Sequence, residues 1–341
     1  MTSNAVLRHH DVGLLSVAAV EAPIEVTSAW IDEQLADVYT RTGLKPGTLQ
    51  SLAGIESRRW WPEDVTFDQA AASAGRKAIQ AAGIDATEIG LLISTSVSKH
   101  HLEPSVASAV HHHLGLPPSC MNFDVGNACL GFVNGMQIAA AMIDAGTIEY
   151  ALIVDGEGSR HTQEVTIARL QETAMEPGDL FNEFASLTLG SGSAAAVMCR
   201  ASAHPESHRM LGGIARAATQ HHELCVGDLD RMTTDTHGLL VAGLELSEEA
   251  WKEAGRHFDW EVGMDWYIIH QISQVHTTMM CSQLGLDLAK VPLTFPFYGN
   301  VGPAAIPITL ATVADQIQVG QRVLCMGMGS GLNASIAEIV W

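Results

Sequence analysis

Basic residues are scarce in this chain: 18 Lys and Arg stand against 38 Asp and Glu in 341 residues, a formal net charge of −20. That balance excludes a broad basic face for nucleic acid or for an anionic membrane surface. Charged residues of either sign make up only 16%, whereas 47% are hydrophobic, which excludes a disordered chain and predicts a well-buried one. The six cysteines (Cys120, Cys129, Cys199, Cys225, Cys281, Cys325) include no Cys-x-x-Cys pair, so neither a zinc ribbon nor a disulfide framework is signalled. No run reaches the ~18 apolar residues of a transmembrane helix. The short apolar stretch from Asp11 to Val20, which follows Arg8-His9-His10, reads as a first strand rather than the core of a leader peptide. Reduced thiols and a cytoplasmic location are the expectation.

What the sequence does have is alternation. Gly90–Ser94, Tyr150–Asp155, Tyr267–His270 and Arg322–Gly327 read as strands separated by longer amphipathic stretches, the pattern of βαβ units and buried parallel sheets. It also has a faint internal repeat. The helical stretch Ser105–His113 ends in Leu114-Gly115-Leu116, followed by Gly126-Asn127, an apolar run and the strand at Tyr150; Thr277–Gln283 ends in Leu284-Gly285-Leu286, followed by Gly299-Asn300, an apolar run and the strand at Arg322. Either match alone carries nothing, but order and spacing agree, with 24 residues from Gly126 to Tyr150 and 23 from Gly299 to Arg322. Two copies of one α/β unit are implied, 1–203 and 204–341, joined near Ala201–Pro205.

The apolar runs predict two helices buried between layers. Leu130–Ala145 is apolar almost all round, interrupted by Asn134, Gln137 and Asp144; its counterpart Gly302–Ile317 contains Pro303, which suits a helix start, and Pro307, which implies a kink or a later start. The first helix begins just after Phe123-Asp-Val-Gly-Asn-Ala-Cys129-Leu-Gly. A cysteine there, among small residues at a strand-to-helix turn, is a nucleophile candidate, because unpaired N–H groups at the helix start favour a thiolate. The other five cysteines read as small buried hydrophobes. His270, where Trp266-Tyr-Ile-Ile-His270 runs out, and Asn300, in the loop equivalent to that of Cys129, are its expected partners.

Cys129 in FDVGNACLGF, His270 in IIHQIS, Asn300 in FYGNVGPAAIP and the glycine-rich Met326-Gly-Met-Gly-Ser-Gly-Leu-Asn occur in the order of the Cys-His-Asn thiolase superfamily. From about Val12 to Trp341 the chain resembles its β-ketoacyl-carrier-protein synthase III branch. The resemblance implies a five-layer αβαβα thiolase fold, usually homodimeric, and a cysteine acylated by a thioester, with the histidine and asparagine stabilising the enolate of a second thioester. No permanent cofactor is implied, only coenzyme A thioesters as substrates. Within the branch, Leu102-Glu103-Pro-Ser resembles the OleA-type enzymes that join two acyl groups head to head in long-chain olefin biosynthesis. Their glutamate in this motif reaches across the dimer into the partner's active site; downstream pathway enzymes are then the wider partners.

Chemistry gives Glu103 its importance. A malonyl thioester yields its carbanion by losing carbon dioxide and needs no base, whereas joining two ordinary acyl thioesters requires removal of an α-proton. The expected reaction is non-decarboxylative Claisen condensation of two fatty acyl-coenzyme A thioesters to a 2-alkyl-3-ketoalkanoic acid or thioester. The alternative is a malonyl-dependent synthase III or a related acyltransferase. Gly327-x-Gly329-x-Gly331 is followed by the strand-like Ala334–Val340 and not by a helix, so it reads as a hairpin beside Cys129, with the N–H groups of Cys129 and Ser330 as an oxyanion hole. Leu189–Met198 reads as another hairpin strand. The tryptophan and arginine with which synthase III enzymes often hold the coenzyme A adenine have no counterpart in Thr42–Leu52, leaving Arg58 and Trp60 as candidates. The heavy negative charge favours coenzyme A over an acidic carrier protein as donor. His111-His112-His113 and His221-His222 read as solvated faces, and no metal is expected.

Overall fold

The computed structural model describes residues 6–341; the first five residues of the expected first half lie outside it. Fourteen strands organise the described chain. Five of them, β2 (Val12–Glu21), β5 (Ile89–Ser94), β6 (Met121–Asp124), β7 (Tyr150–Glu157) and β8 (Gly192–Arg200), form one sheet in the order β2-β8-β7-β5-β6. A second sheet runs β12-β13-β14-β9, from β9 (His208–Ala217), β12 (Trp266–Ile269), β13 (Arg322–Gly329) and β14 (Asn333–Val340), with β1 (Val6–Arg8) paired to β9. The two sheets touch edge to edge where Gly13 and Leu14 of β2 meet Arg209 and His208 of β9. Two small antiparallel pairs stand apart, β3 (Ile24–Thr27) with β4 (Ser57–Trp60) and β10 (Cys225–Gly227) with β11 (Met232–Thr234).

The sheets are mixed rather than parallel. β5 runs parallel to β6 and β7, and β12 to β13, but β8 lies antiparallel between β2 and β7, and β14 antiparallel between β13 and β9. The stretch expected as a hairpin strand is therefore central: β8 is buried along nearly its whole length, and its small Ala194–Ala196 steps allow helices to approach on both faces.

Three helical layers alternate with the sheets. α4 (Phe67–Ala82) and α5 (Val106–Leu114) cover the first sheet, and α9 (Thr236–Ala254) and α10 (Gln274–Leu284) the second. Between the sheets lie α6 (Gly131–Asp144) and α12 (Ala305–Val313), whose Phe132, Met136, Ile143, Ile306 and Leu310 share one core cluster with both sheets. The result is the five-layer αβαβα thiolase fold. Around one end are α1 (Ser28–Gln34), α2 (Ala36–Thr42), α3 (Thr48–Ala53), α7 (Arg160–Thr173), α8 (Pro177–Thr188) and the short α11 (Phe295–Tyr298).

The recurring Leu-Gly-Leu has a local cause. Each is a helix stop: Gly115 and Gly285 take left-handed φ of 63° and 67°, while Leu116 N–H returns to His111 O and Leu286 N–H to Cys281 O. Each helix also starts alike, Ser105 and Ser273 accepting the N–H of Ser108 and His276. Pro303 falls in a 3₁₀ turn ahead of α12, and Pro307 in the first turn of α12, where a missing N–H costs no helical bond. The three polar residues of α6 are accounted for as well. Asp144 accepts the N–H groups of His10 and Asp11, while Asn134 and Gln137 face β14.

Candidate active site

The strand β6 ends at Asp124, and a tight turn delivers Cys129 two residues before α6. Ala128 within it has φ +44°, an uncommon conformation for a residue with a side chain. Amides hold the turn: Asn127 donates to Asn134 Oδ1 at 2.7 Å, Asn333 donates to Asn127 Oδ1 at 3.3 Å, and Gln137 donates to Ser335 Oγ at 3.1 Å. From the other sheet comes the end of β13. A Cβ added to Gly329 would lie 3.1 Å from Cys129 N and 3.2 Å from Ala128 Cβ, so main chain presses on main chain and only glycine fits without adjustment. Ser330 follows at once, opening the β13–β14 turn.

His270 arrives along the same strand. It continues β12, and its N–H bonds to Met326 O at 2.8 Å, three residues before Gly329. Three strand residues span ~10 Å, within reach of two side chains directed at a common point. Asn300 completes the group. Its N–H donates to Thr188 O and its carbonyl accepts Gly190 N–H, both at 2.9 Å, so the end of α8 and the start of β8 fix its backbone. Its side-chain Oδ1 accepts Gly302 N–H at 3.0 Å and lies 3.3 Å from His270 Nε2. With Oδ1 occupied, Nδ2 is left as a donor.

Burial sets the protonation states. His270 is 4% exposed, and desolvation holds its pKa down at about 4 against the help of Asn300, so its imidazole is neutral at pH 7. Donation from Nε2 then makes it a neutral hydrogen-bond donor. The Cys129 thiol is pushed up to about 12, first by burial and then by the charges of Cys225, Glu157 and Asp155. The expected gain from the start of α6 does not prevail, because desolvation and two nearby carboxylates outweigh a partial charge from the helix.

Glu103 lies elsewhere in the single chain. It sits on the loop between β5 and α5, exposed beside a fully exposed Leu102, and among the described residues it makes no hydrogen bond to Cys129, His270 or Asn300. Arg58 is not available to a soluble ligand: it is 1% exposed, with its guanidinium donating to Ser28 Oγ and directed at Val26 O. Trp60 is buried too, but belongs to a cluster that reaches solvent. Trp30 of α1, 37% exposed, meets Trp60 edge-on at 5.5 Å, and the Arg160 guanidinium lies 5.5 Å over the Trp60 ring. Trp60 Nε1 donates to Gln163, whose Nε2 donates to Leu187 and Leu189 carbonyls next to the Asn300 contact. Trp30 lies upstream of Thr42–Leu52 and Arg160 opens α7, so neither stands out from the sequence as a neighbour of Trp60. Among the described residues no group of three or more His, Cys, Asp or Glu is arranged to hold a metal; His113 instead meets Asp68 at 2.7 Å and His111 the carbonyl of Pro117.

Comparison with known proteins agrees with this architecture. Residues 123–212 match the family model for 3-oxoacyl-[acyl-carrier-protein] synthase III, and 262–341 the model for its C-terminal region. The acyl-CoA:acyl-CoA alkyltransferase of Xanthomonas campestris is 44% identical over 97% of this chain and 99% of its own length. The Shewanella oneidensis protein of the same name is 32% identical over 98% and 100%. A crystal structure of a cysteine-to-serine variant of Xanthomonas campestris OleA, with bound lauric acid and lauroyl-CoA, superposes with a TM-score of 0.95 at 44% identity, covering 97% of this chain and 99% of that one. With the cysteine turn, the histidine strand end and the asparagine loop all falling inside the matched regions, the chain belongs to the 3-oxoacyl-[acyl-carrier-protein] synthase III family of thiolase-fold acyltransferases, on its OleA-like branch.

Proposed function

We propose that the protein condenses two fatty acyl-coenzyme A thioesters without decarboxylation, through an acyl-Cys129 intermediate. What supports this reading is a chain of contacts: the Cys129 turn lies against Gly329, His270 is bonded to Met326, three residues before Gly329 on the same strand, and Asn300 is bonded to His270. The thiol sulfur attacks the first acyl carbonyl, the carbon–sulfur bond to coenzyme A breaks, and coenzyme A leaves with the thiol proton. The N–H groups of Cys129 and Ser330 serve as the oxyanion hole. A carboxylate, Glu103, then removes an α-proton from the second acyl thioester, whose enolate oxygen takes the His270 Nε2–H over from Asn300 Oδ1 and is held also by Asn300 Nδ2–H. The α-carbon attacks the acyl-Cys129 carbonyl and expels the thiolate, which regains a proton. The product is a 2-alkyl-3-keto thioester, released as such or after hydrolysis to the acid.

Glu103 serves the partner's active site in a homodimer on this reading. Two features support it. The loop is exposed in the single chain, and the neighbouring β6 is a sheet edge, hydrogen-bonded on the β5 side only, with Met121 exposed. Lys99 near the base of the loop pairs with Asp124 at the end of β6, keeping loop and edge together. The two halves, 1–203 and 204–341, supply nucleophile and base loop on one side and His270 and Asn300 on the other. The half-exposed Trp30 ring, backed by Trp60, is the docking surface for the coenzyme A adenine on this reading, while Arg160, over Trp60, is paired with Glu63 and Glu164. Product analysis by mass spectrometry tests the reaction: the condensed keto product should form from acyl-coenzyme A alone. A product that requires malonyl-coenzyme A would replace this reading with the decarboxylative one.

A further inference from the structure

The loop that carries Glu103 is held at both stems by carboxylates. At the far stem, Asp124 accepts the N–H groups of Val106 and Ala107, in the first turn of α5, and pairs with Lys99 Nζ at 3.0 Å. Midway, His100 stacks on Phe67 of α4 with ring centres 4.1 Å apart. The near stem is bound more heavily. Thr95–Ser98 has left β5 and is zipped to the end of β7: Thr95 N–H donates to Val154 O, Thr95 Oγ1 to Asp155 Oδ2, Gly156 N–H to Ser96 Oγ and Gly158 N–H to Ser98 Oγ.

Glu157 is the centre of this arrangement. Its Oε1 accepts Val97 N–H at 2.7 Å, and its Oε2 accepts Ser98 N–H at 3.2 Å and Ser98 Oγ–H at 2.5 Å. It is 4% exposed, and its burial is compensated by the loop donors together with a side-chain hydrogen bond to the neighbouring Asp155. On its other side is the turn after Asn300, where a methyl group on Gly302 would come 3.8 Å from Glu157 Cδ and from Val97 Cγ2. Glu157 thus stands where the stem leading to Glu103 crosses the turn leading from Asn300.

We infer that Glu157 is a positioning residue for condensation, fixing the Glu103 loop against the Asn300 turn so that base and enolate site are held in one register. This rests on the reading of Glu103 as the base. Ser98 is five residues from Glu103, so a shifted stem displaces the base, and a ~1 Å misplacement can cost on the order of a hundredfold in rate. Acylation of Cys129 uses neither Glu103 nor its loop. The signature is therefore a split between the two half-reactions.

The test uses the full chain with Glu157→Gln, Ser98→Ala and Glu103→Gln measured side by side. Single-turnover acylation of Cys129, condensation from acyl-coenzyme A, and hydrogen exchange over residues 96–104 are the readouts. Glu157→Gln keeps shape but faces the Ser98 donors with an amide N–H₂. It should keep acylation at no less than about one third of the parental rate, since loss of the Glu157 charge eases ionisation of Cys129, while condensing roughly 10- to 100-fold more slowly and exchanging faster over 96–104. Ser98→Ala should give the same split at smaller amplitude and add little to Glu157→Gln, since both break one clamp. Equal loss of acylation and condensation, parental condensation, or unchanged exchange in Glu157→Gln would overturn the inference. If Glu157→Gln does not fold, Ser98→Ala decides by the same criteria. Parental condensation by Glu103→Gln would remove the base reading itself, whereas a stalled Glu103→Gln beside a fully active Glu157→Gln would overturn only the positioning role.

Discussion

Asn300 has its N–H, its carbonyl and its side-chain oxygen all bonded within its own chain, to Thr188, Gly190 and Gly302, whereas Glu103 rides an exposed loop next to a bare Leu102. The nucleophile turn resembles the first case, with Asn127, Asn134 and Asn333 bracing it and Gly329 pressed against it. On the proposed reading, one part of the machinery is held within a single chain and the other is presented outward. Groups that hold charge in a transition state gain from being fixed in advance, because they need no reorganisation when the charge appears. A base supplied by a partner subunit, as proposed for Glu103, can instead be absent while the first acyl group is loaded.

The contrast can be broken most severely at the centre. Cys129→Ala should abolish both acylation and condensation, a loss of at least about a thousandfold; acyl label persisting in that variant, or mapping to Cys120, would remove the nucleophile. Glu103→Gln should leave the acyl-enzyme to form and stall, with condensation down on the order of 10²- to 10⁴-fold. Mixing it with Cys129→Ala subunits should restore activity toward about one quarter of parental if Glu103 crosses the dimer, since half of randomly exchanged dimers then hold one good site of two. No rescue on verified exchange would return Glu103 to its own chain. His270→Ala or Asn300→Ala should cost on the order of 10²- to 10³-fold in condensation and less in acylation; condensation at the parental rate in both would undo the reading drawn from their contacts.

Two further measurements sharpen the comparison at lower amplitude. Because burial holds His270 at about 4, below the ordinary 6.5, the unfolded chain binds the extra proton between those values. Stability should fall as pH drops from about 6.5 to about 4, by a contribution of about 3 kcal/mol, and level off below. Denaturant melts of parent and His270→Asn check this; an equally steep fall in the variant would assign the slope to other groups. The smallest effect is expected at the surface. Trp30→Ala should raise KM for acyl-coenzyme A roughly 3- to 10-fold with little change in kcat, and an unchanged KM would detach the Trp30–Trp60 pair from ligand binding.

How much of this was legible in the sequence depended on whether a residue's role is written in its neighbours. Cys129, His270 and Asn300 each occupy a strand end or glycine turn, and Leu-Gly-Leu marked two helix stops, so local pattern sufficed to draw them together. Trp30 and Arg160 are 130 positions apart and meet only because β4 brings Trp60 between them, which no local window reports. Arg58 misled because arginine normally seeks water; here Ser28 Oγ and Val26 O give it an interior berth. The strand at Leu189–Met198 was legible, but not its place at the centre of a sheet, where small side chains suit packing on both faces. The Cys129 dipole argument was sound in sign and too small in magnitude against burial.

The contact at Gly329 bears on how this family can diversify. With main chain this close, even a methyl group at position 329 asks the Cys129 turn to give by a few tenths of an ångström, so substitutions here move the turn itself. Variation in acyl length or branching has to be written on other surfaces. The hairpin is the fixed datum from which those surfaces can drift, which lets substrate taste evolve while the reacting atoms keep their alignment.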